Sequence, residues 1–243
     1  SSKVIYDRAG SSISKVNPNT FDWEEIFSEK DWFHFTGITP AISESAAATC
    51  EEAIEAASAL GLTVSVDMNY RKNLWSPEKA QSTMKPLMKF VDVAIGNEED
   101  AEKCLGISAE GVDVTSGEVD PNAYTTVIKR LVEEYGFKKV GITLRESISA
   151  DDNNWSAIYF DGKKLLTGKK YPVRIVDRVG GGDSFSAGII FGNLKSDWAS
   201  QDILDFAVAC SALSHTLHGD FNLVDEKEVM AIVGGDTSGR VQR

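Results

Sequence analysis

Ile175-Val176-Asp177-Arg178-Val179-Gly180-Gly181-Gly182-Asp183-Ser184-Phe185-Ser186-Ala187-Gly188 is the stretch on which the fold of this chain turns. A strand over 173–176 runs into three consecutive glycines, which let the backbone turn without a Cβ penalty, and a helical pattern over 183–194 follows at once. The first N–H groups of a helix have no partner inside it, and the helix dipole adds partial positive charge there. Strand, glycine turn and helix start in this order make an anion site suited to phosphate oxygens. Asp183 stands in the first turn beside that site. A carboxylate there can take a proton from an attacking hydroxyl while the amides stabilise a transferring phosphoryl group. The same residues also fit a plain glycine turn in which Asp183 only caps the helix. Ser184, Gly188 and Gly192 recur at i, i+4 and i+8, giving the helix a small-residue face for close packing.

Upstream, strands and helices alternate. Strands are expected at 32–36, 62–67, 91–95 and 139–144, with helices at 43–60 (ending at Gly61), 77–90 and 124–135 between them. Such alternation predicts βαβ units, an α/β fold with a mainly parallel sheet, and ligands at the carboxyl ends of the strands. Residues 155–160 and 163–167 read as a hairpin across Asp161-Gly162, a pair suited to a type I′ turn. Helices are also expected at 201–217 and 225–233, and a strand at 4–6. Residues 106–121, rich in glycine and acid, read as an irregular excursion. No linker divides the chain into two full domains. The core is expected over 17–233, with a mobile polar tail at 234–243.

With 243 residues, 42% of them hydrophobic, the chain can bury a sizeable core. A net charge of −12 and a pI near 4.8 disfavour nucleic acid and anionic membranes as partners. A small molecule is the expected partner, and a homo-oligomer is left open. Cys50, Cys104 and Cys210 form no disulfide or zinc spacing, which implies a reducing compartment; no signal or spanning segment is readable, and a cytoplasmic location is expected. His34, His215 and His218 lack further ligands at zinc spacing and are expected to be structural or surface residues. Neither Gly-x-x-x-x-Gly-Lys-Ser/Thr nor Gly-x-Gly-x-x-Gly occurs, which argues against a P-loop NTPase and a dinucleotide dehydrogenase.

Three further segments bear chemistry. Gly96-Asn97-Glu98-Glu99-Asp100-Ala101 follows a strand, and its acids suit either a hard cation or simply a helix N-terminus. Tyr6-Asp7-Arg8 and Asp67-Met68-Asn69-Tyr70-Arg71 each close a strand with arginine, whose planar fork matches a carboxylate; the competing reading pairs each arginine with a neighbouring acid.

The order of Asp177, three glycines, Asp183, Phe185, Ala187 and Gly188 resembles the second signature of the PfkB sugar kinases, and the chain looks most like the 2-keto-3-deoxygluconate kinases among them. It departs at Arg178, where the family has threonine, and at Gly181, where it has alanine. The resemblance implies a ribokinase-like three-layer sandwich, with residues 1–16 as the returning strand of a small β lid. It also implies that roughly the first quarter to third of a usual kinase is missing from this sequence. It further implies ATP-dependent phosphorylation of a sugar acid, with Asp183 as base and Gly180, Gly181 and Gly182 as the anion hole. Tyr6, Arg8, Ile38 and Arg71 would hold the sugar acid. Asn69, Arg71, Thr143, Gly180 and Gly182 would meet ATP, and Asn97 and Asp100 would influence Mg²⁺ through water. Thr143-Leu144-Arg145 stands where the family has Thr-Leu-Gly, and helix 207–218 where it borders adenine. A fructokinase or ribokinase remains the nearest alternative, and an inactive sugar- or nucleotide-binding protein the alternative of another class.

Overall fold

The computed structural model describes residue 8, residues 10–108 and residues 121–235. The strand expected at 4–6, Tyr6 and most of the acidic excursion and tail lie outside the described residues. Two compact units divide the described chain, one of residues up to 108 with 121–140, the other of residues 141–235. The sequence offers no linker at this division, because the boundary falls inside a strand.

In the first unit, α1 (Trp23–Phe27) precedes β1 (Trp32–Thr36), α2 (Ile38–Ile42), α3 (Glu44–Ala59), β2 (Thr63–Asp67), α4 (Pro77–Leu87), β3 (Val93–Gly96), α5 (Glu98–Leu105) and α6 (Pro121–Tyr135). β1, β2 and β3 pair side by side in parallel, the arrangement expected from the alternation. Ser43 caps α3 by accepting from the Ala46 N–H at 3.0 Å, and Gly61 (φ +80°) follows its end. Ala46, Cys50, Ala53, Ile54 and Ala57 form the buried face of α3. Ser76 caps α4, with Pro77 in its first turn. Residues 13–15 make a 3₁₀ turn with no buried residue.

The second unit holds most of β4 (Lys139–Ser147), followed by β5 (Asp152–Phe160), β6 (Leu165–Thr167), β7 (Tyr171–Arg174), α7 (Gly181–Leu194), α8 (Ser200–Ser214) and α9 (Glu226–Val233). β5 pairs antiparallel with β6 over its second half and with β7 over its first. The expected hairpin is present, but its turn is not type I′. Asp161 keeps a negative φ, and its Oδ1 accepts from the N–H groups of Lys163 and Lys164 at 2.9 and 2.8 Å. The small face of α7 meets α8 as its spacing predicts: a Cβ on Gly188 would lie 2.6 Å from Cα of Ala207, and one on Gly192 2.8 Å from Cγ2 of Ile203.

Candidate active site

The glycine run is built differently from a three-residue turn. Only Gly180 takes the left-handed conformation, at φ +80°, and the helix already begins at Gly181, two residues before the expected start. Gly181 and Gly182 therefore supply first-turn N–H groups rather than turn geometry. The first helical bond runs from the Ser184 N–H to the Gly180 carbonyl at 2.8 Å, so the donors before it face outward from the helix end. Asp183, third residue of α7, and Gly182 are both exposed. An accessible carboxylate thus sits next to the exposed Gly182, with buried Gly181 opening the helix before it, the combination that proton abstraction beside a phosphoryl group needs.

Close approach fixes the rest of the loop. A Cβ on Gly180 would stand 2.6 Å from the Asp220 carbonyl oxygen, and one on Gly181 2.3 Å from Cε1 of His215. Asp177 ties the loop entry to residues 215–220. One of its oxygens accepts from the Arg178 N–H at 2.8 Å and the other from the Gly219 N–H at 3.2 Å, and these bonds, Gly219 first, hold its carboxyl below the ordinary carboxylate range. Arg178, whose role the sequence leaves open, donates from its guanidinium to the Ala150 carbonyl in the β4–β5 connection. Thr143 lies half-buried in β4, and β4 continues as a strand through Arg145 and Glu146 to Ser147, beyond the end expected at 144. The extension has partners: Glu146 accepts from Asn154 at 2.9 Å and from Lys170 at 2.6 Å.

In the first unit, the carboxyl ends of β1 and β2 gather Ile38 and Asn69. The Thr36 hydroxyl oxygen accepts from the Ile38 N–H and from Asn69 Nδ2, each at 3.3 Å, and Asn69 is held at φ +42°. Gly37 donates to the Asp67 carbonyl at 2.8 Å, and a Cβ on it would lie only 2.1 Å from the Met68 carbonyl oxygen. Asp100 is 4% exposed, and each of its oxygens accepts a backbone amide: Tyr70 N–H at 2.8 Å and Asn97 N–H at 2.9 Å. Asn97 Oδ1 in turn accepts from the Asp100 N–H at 2.9 Å, completing a capping box. Burial raises the Asp100 carboxyl to about 6. These partners do not fit direct metal ligation by Asn97 and Asp100. Glu99 is exposed, and among the described residues no group of three or more His, Cys, Asp or Glu could hold a metal ion. Arg71 is exposed, its Nη1 donating to the Tyr70 carbonyl at 3.0 Å, and the Arg8 carbonyl accepts from Ser11 in a turn.

The histidines are structural where described bonds settle it. His34 Nδ1 meets the Ser65 hydroxyl at 2.7 Å, and burial lowers its pKa to about 4. His215 is buried beneath Gly181, a support that composition and spacing do not announce.

The sequence profile of pfkB family carbohydrate kinases matches residues 4–227. The crystal structure of 2-dehydro-3-deoxygluconokinase from Thermotoga maritima is 45% identical, with a TM-score of 0.90 over 96% of this chain and 68% of that one. The 2-dehydro-3-deoxygalactonokinase of Haloferax volcanii is 29% identical over 236 residues, 97% of this chain and 67% of that protein. The 2-dehydro-3-deoxygluconokinase of Thermoproteus tenax is 29% identical over 222 residues, 90% of this chain and 59% of that protein. The chain thus spans about two thirds of the length of these proteins, and less of the last. The glycine loop with its accessible aspartate, the ribokinase-like α/β fold and the profile match agree: the chain belongs to the PfkB family of carbohydrate kinases.

Proposed function

We propose that the chain acts in ATP-dependent phosphorylation of the terminal hydroxyl of a sugar acid, 2-keto-3-deoxygluconate, yielding its 6-phosphate and ADP. Asp183 takes the hydroxyl proton as the hydroxyl oxygen bonds to the terminal phosphorus of ATP and the bond to the leaving ADP breaks. The N–H groups of Gly181 and Gly182 face the transferring group and offset its charge, which makes catalysis mainly positioning and electrostatics. Arg71, with Arg8 and Tyr6, orients the substrate carboxylate, and Ile38 and Asn69 contribute at the strand ends they share with Thr36. Mg²⁺ would accompany the nucleotide phosphates and neutralise their charge, with Asn97 and Asp100, engaged with the backbone, acting on it through water. The single observation that supports this reading is the exposed Asp183 in the first turn of α7, directly after the two glycines whose amides open the helix.

The test is coupled ADP-release kinetics on the parent and on Asp183→Asn with 2-keto-3-deoxygluconate, its galactonate epimer, fructose and ribose. Asp183→Asn should lower kcat by about 100-fold or more while nucleotide binding stays within a few-fold, since the amide keeps the size but cannot accept the proton. A parent that prefers fructose or ribose overturns the sugar-acid assignment. A variant within a few-fold of the parent overturns the base.

A further inference from the structure

His215 lies at the C-terminal end of α8 and touches the glycine loop at both ends. Its carbonyl accepts from the N–H of Val176 at 2.8 Å and of Asp177 at 3.3 Å, where the chain enters the loop. Its ring lies under the start of α7, so close that a Cβ on Gly181 would be 2.3 Å from Cε1 and 2.6 Å from Nε2. The ring itself is fixed. Nδ1 is 2.7 Å from the Ser211 carbonyl, which can only accept, so Nδ1 carries a proton. Trp155 packs on the ring at a centroid distance of 4.5 Å. Ser211 closes the circuit, its hydroxyl donating to the Gly181 carbonyl at 2.7 Å, and it is fully buried. Gly181, Ser211 and His215 therefore form one closed set of contacts, and Gly181 carries the first amide of the anion-facing helix end. Burial lowers the proton affinity of the ring, the bond to the Ser211 carbonyl partly offsets this, and the nearby Arg178 and Arg145 lower it further.

We propose that His215 is a positioning residue for phosphoryl transfer: the bond from its Nδ1–H to the Ser211 carbonyl, which ties it into one circuit with Gly181, sets where the amides of Gly181 and Gly182 stand. The inference rests on the kinase reading above for its catalytic consequence, but not for its geometry. His215 touches no reacting atom in this scheme and acts through the glycines. A ring that serves only as core filling would matter to stability and not to amide position.

The full chain supplies the test, with His215→Asn, His215→Phe and Ser211→Ala compared with the parent. Asn places an amide N–H near the position of Nδ1–H, whereas Phe fills the space without the bond. Amide ¹H–¹⁵N resonances of Gly181 and Gly182, recorded without ligand, should stay near the parent's in His215→Asn and move in His215→Phe and Ser211→Ala. In kinetics below the unfolding midpoint, His215→Phe and Ser211→Ala should lose about 10- to 100-fold in kcat, the scale of a small misplacement of catalytic groups, with KM for ATP and sugar acid within a few-fold. His215→Asn should recover most of that loss. If His215→Phe proves unfolded, Ser211→Ala alone decides, since it cuts the same circuit. Unmoved glycine resonances in folded His215→Phe or Ser211→Ala overturn the proposal, as does a kcat loss matched by the loss of folded protein. A parent with no sugar-acid kinase activity overturns the kinase reading, while the resonances still decide whether His215 sets the amides.

Discussion

Gly37→Ala tests the junction from which Ile38 and Asn69 are presented. The added Cβ would fall 2.1 Å from the Met68 carbonyl oxygen and 3.1 Å from its carbon, both main-chain atoms that cannot swing aside. Ordinary contact needs an opening of about 1 Å between the ends of β1 and β2, the scale on which misplacement of binding groups becomes costly. Overpacking of a tight site costs roughly 1–3 kcal/mol. Opening also strains the 2.8 Å bond from the Gly37 N–H to the Asp67 carbonyl, worth about 1 kcal/mol. A loss of about 3 kcal/mol in a chain of this size lowers Tm by about 6–12 °C. Gly61→Ala is the matched control. Its Cβ meets nothing within 4 Å, but φ is +80°, so only left-handed strain of about 1–2 kcal/mol applies, a fall of roughly 2–8 °C. The assay is thermal unfolding followed by circular dichroism, with KM for the sugar acid measured well below Tm. Gly37→Ala should exceed Gly61→Ala in destabilisation and raise the sugar KM, which Gly61→Ala should leave alone. A Gly37→Ala protein with Tm within 2 °C of the parent would refute the claim that this approach is rigid.

Arg71→Leu should weaken 2-keto-3-deoxygluconate at least tenfold more than fructose in kcat/KM, because only the acid offers a carboxylate to the exposed guanidinium; equal losses would assign Arg71 elsewhere. Asp100 predicts a pH effect on stability. Its folded pKa of about 6 lies above the ordinary 3.8, so its contribution grows as pH falls from about 6 toward 4 and is lost as pH rises through about 6. Between pH 7 and 5 this amounts to about 1 kcal/mol in urea unfolding, and Asp100→Asn should remove that increment; the same pH slope in both proteins would contradict it. Gly188→Ala should destabilise by about 1–3 kcal/mol through its clash with α8, seen as a lower urea midpoint with KM for ATP unchanged. A neutral outcome would mean that α7 and α8 can separate without cost.

The elements legible in the sequence were those set by local pattern. α3 follows from an alanine-rich run between a serine cap and Gly61, and the small face of α7 from Ser184, Gly188 and Gly192. The parallel pairing of β1 to β3 followed from alternation. What the sequence hid was decided by distant partners. β4 outlasts its apolar run because Glu146 finds Asn154 and Lys170. Gly181 looks like part of a flexible turn, yet it is a helix residue whose missing side chain leaves room for a ring 34 positions later. The candidate site shows the same split. Asp183 and the glycines were readable as a motif, whereas the role of Asp100 depended on Tyr70, thirty residues away, and Arg178 found its acceptor at Ala150.

The two bonds of Asp100 have a consequence for how this protein can change. By holding the amides of Tyr70 and Asn97 with one buried side chain, position 100 ties two segments of the chain together. Adaptation to a new sugar therefore has little room at Asp100, where any replacement loosens both segments together. It has more room at Arg71, which is exposed and whose guanidinium donates to the carbonyl of the residue before it. The rigid position lies in the first turn of α5 and the variable one directly after Tyr70, whose amide that carboxylate holds, a division that lets specificity drift while the scaffold stays put.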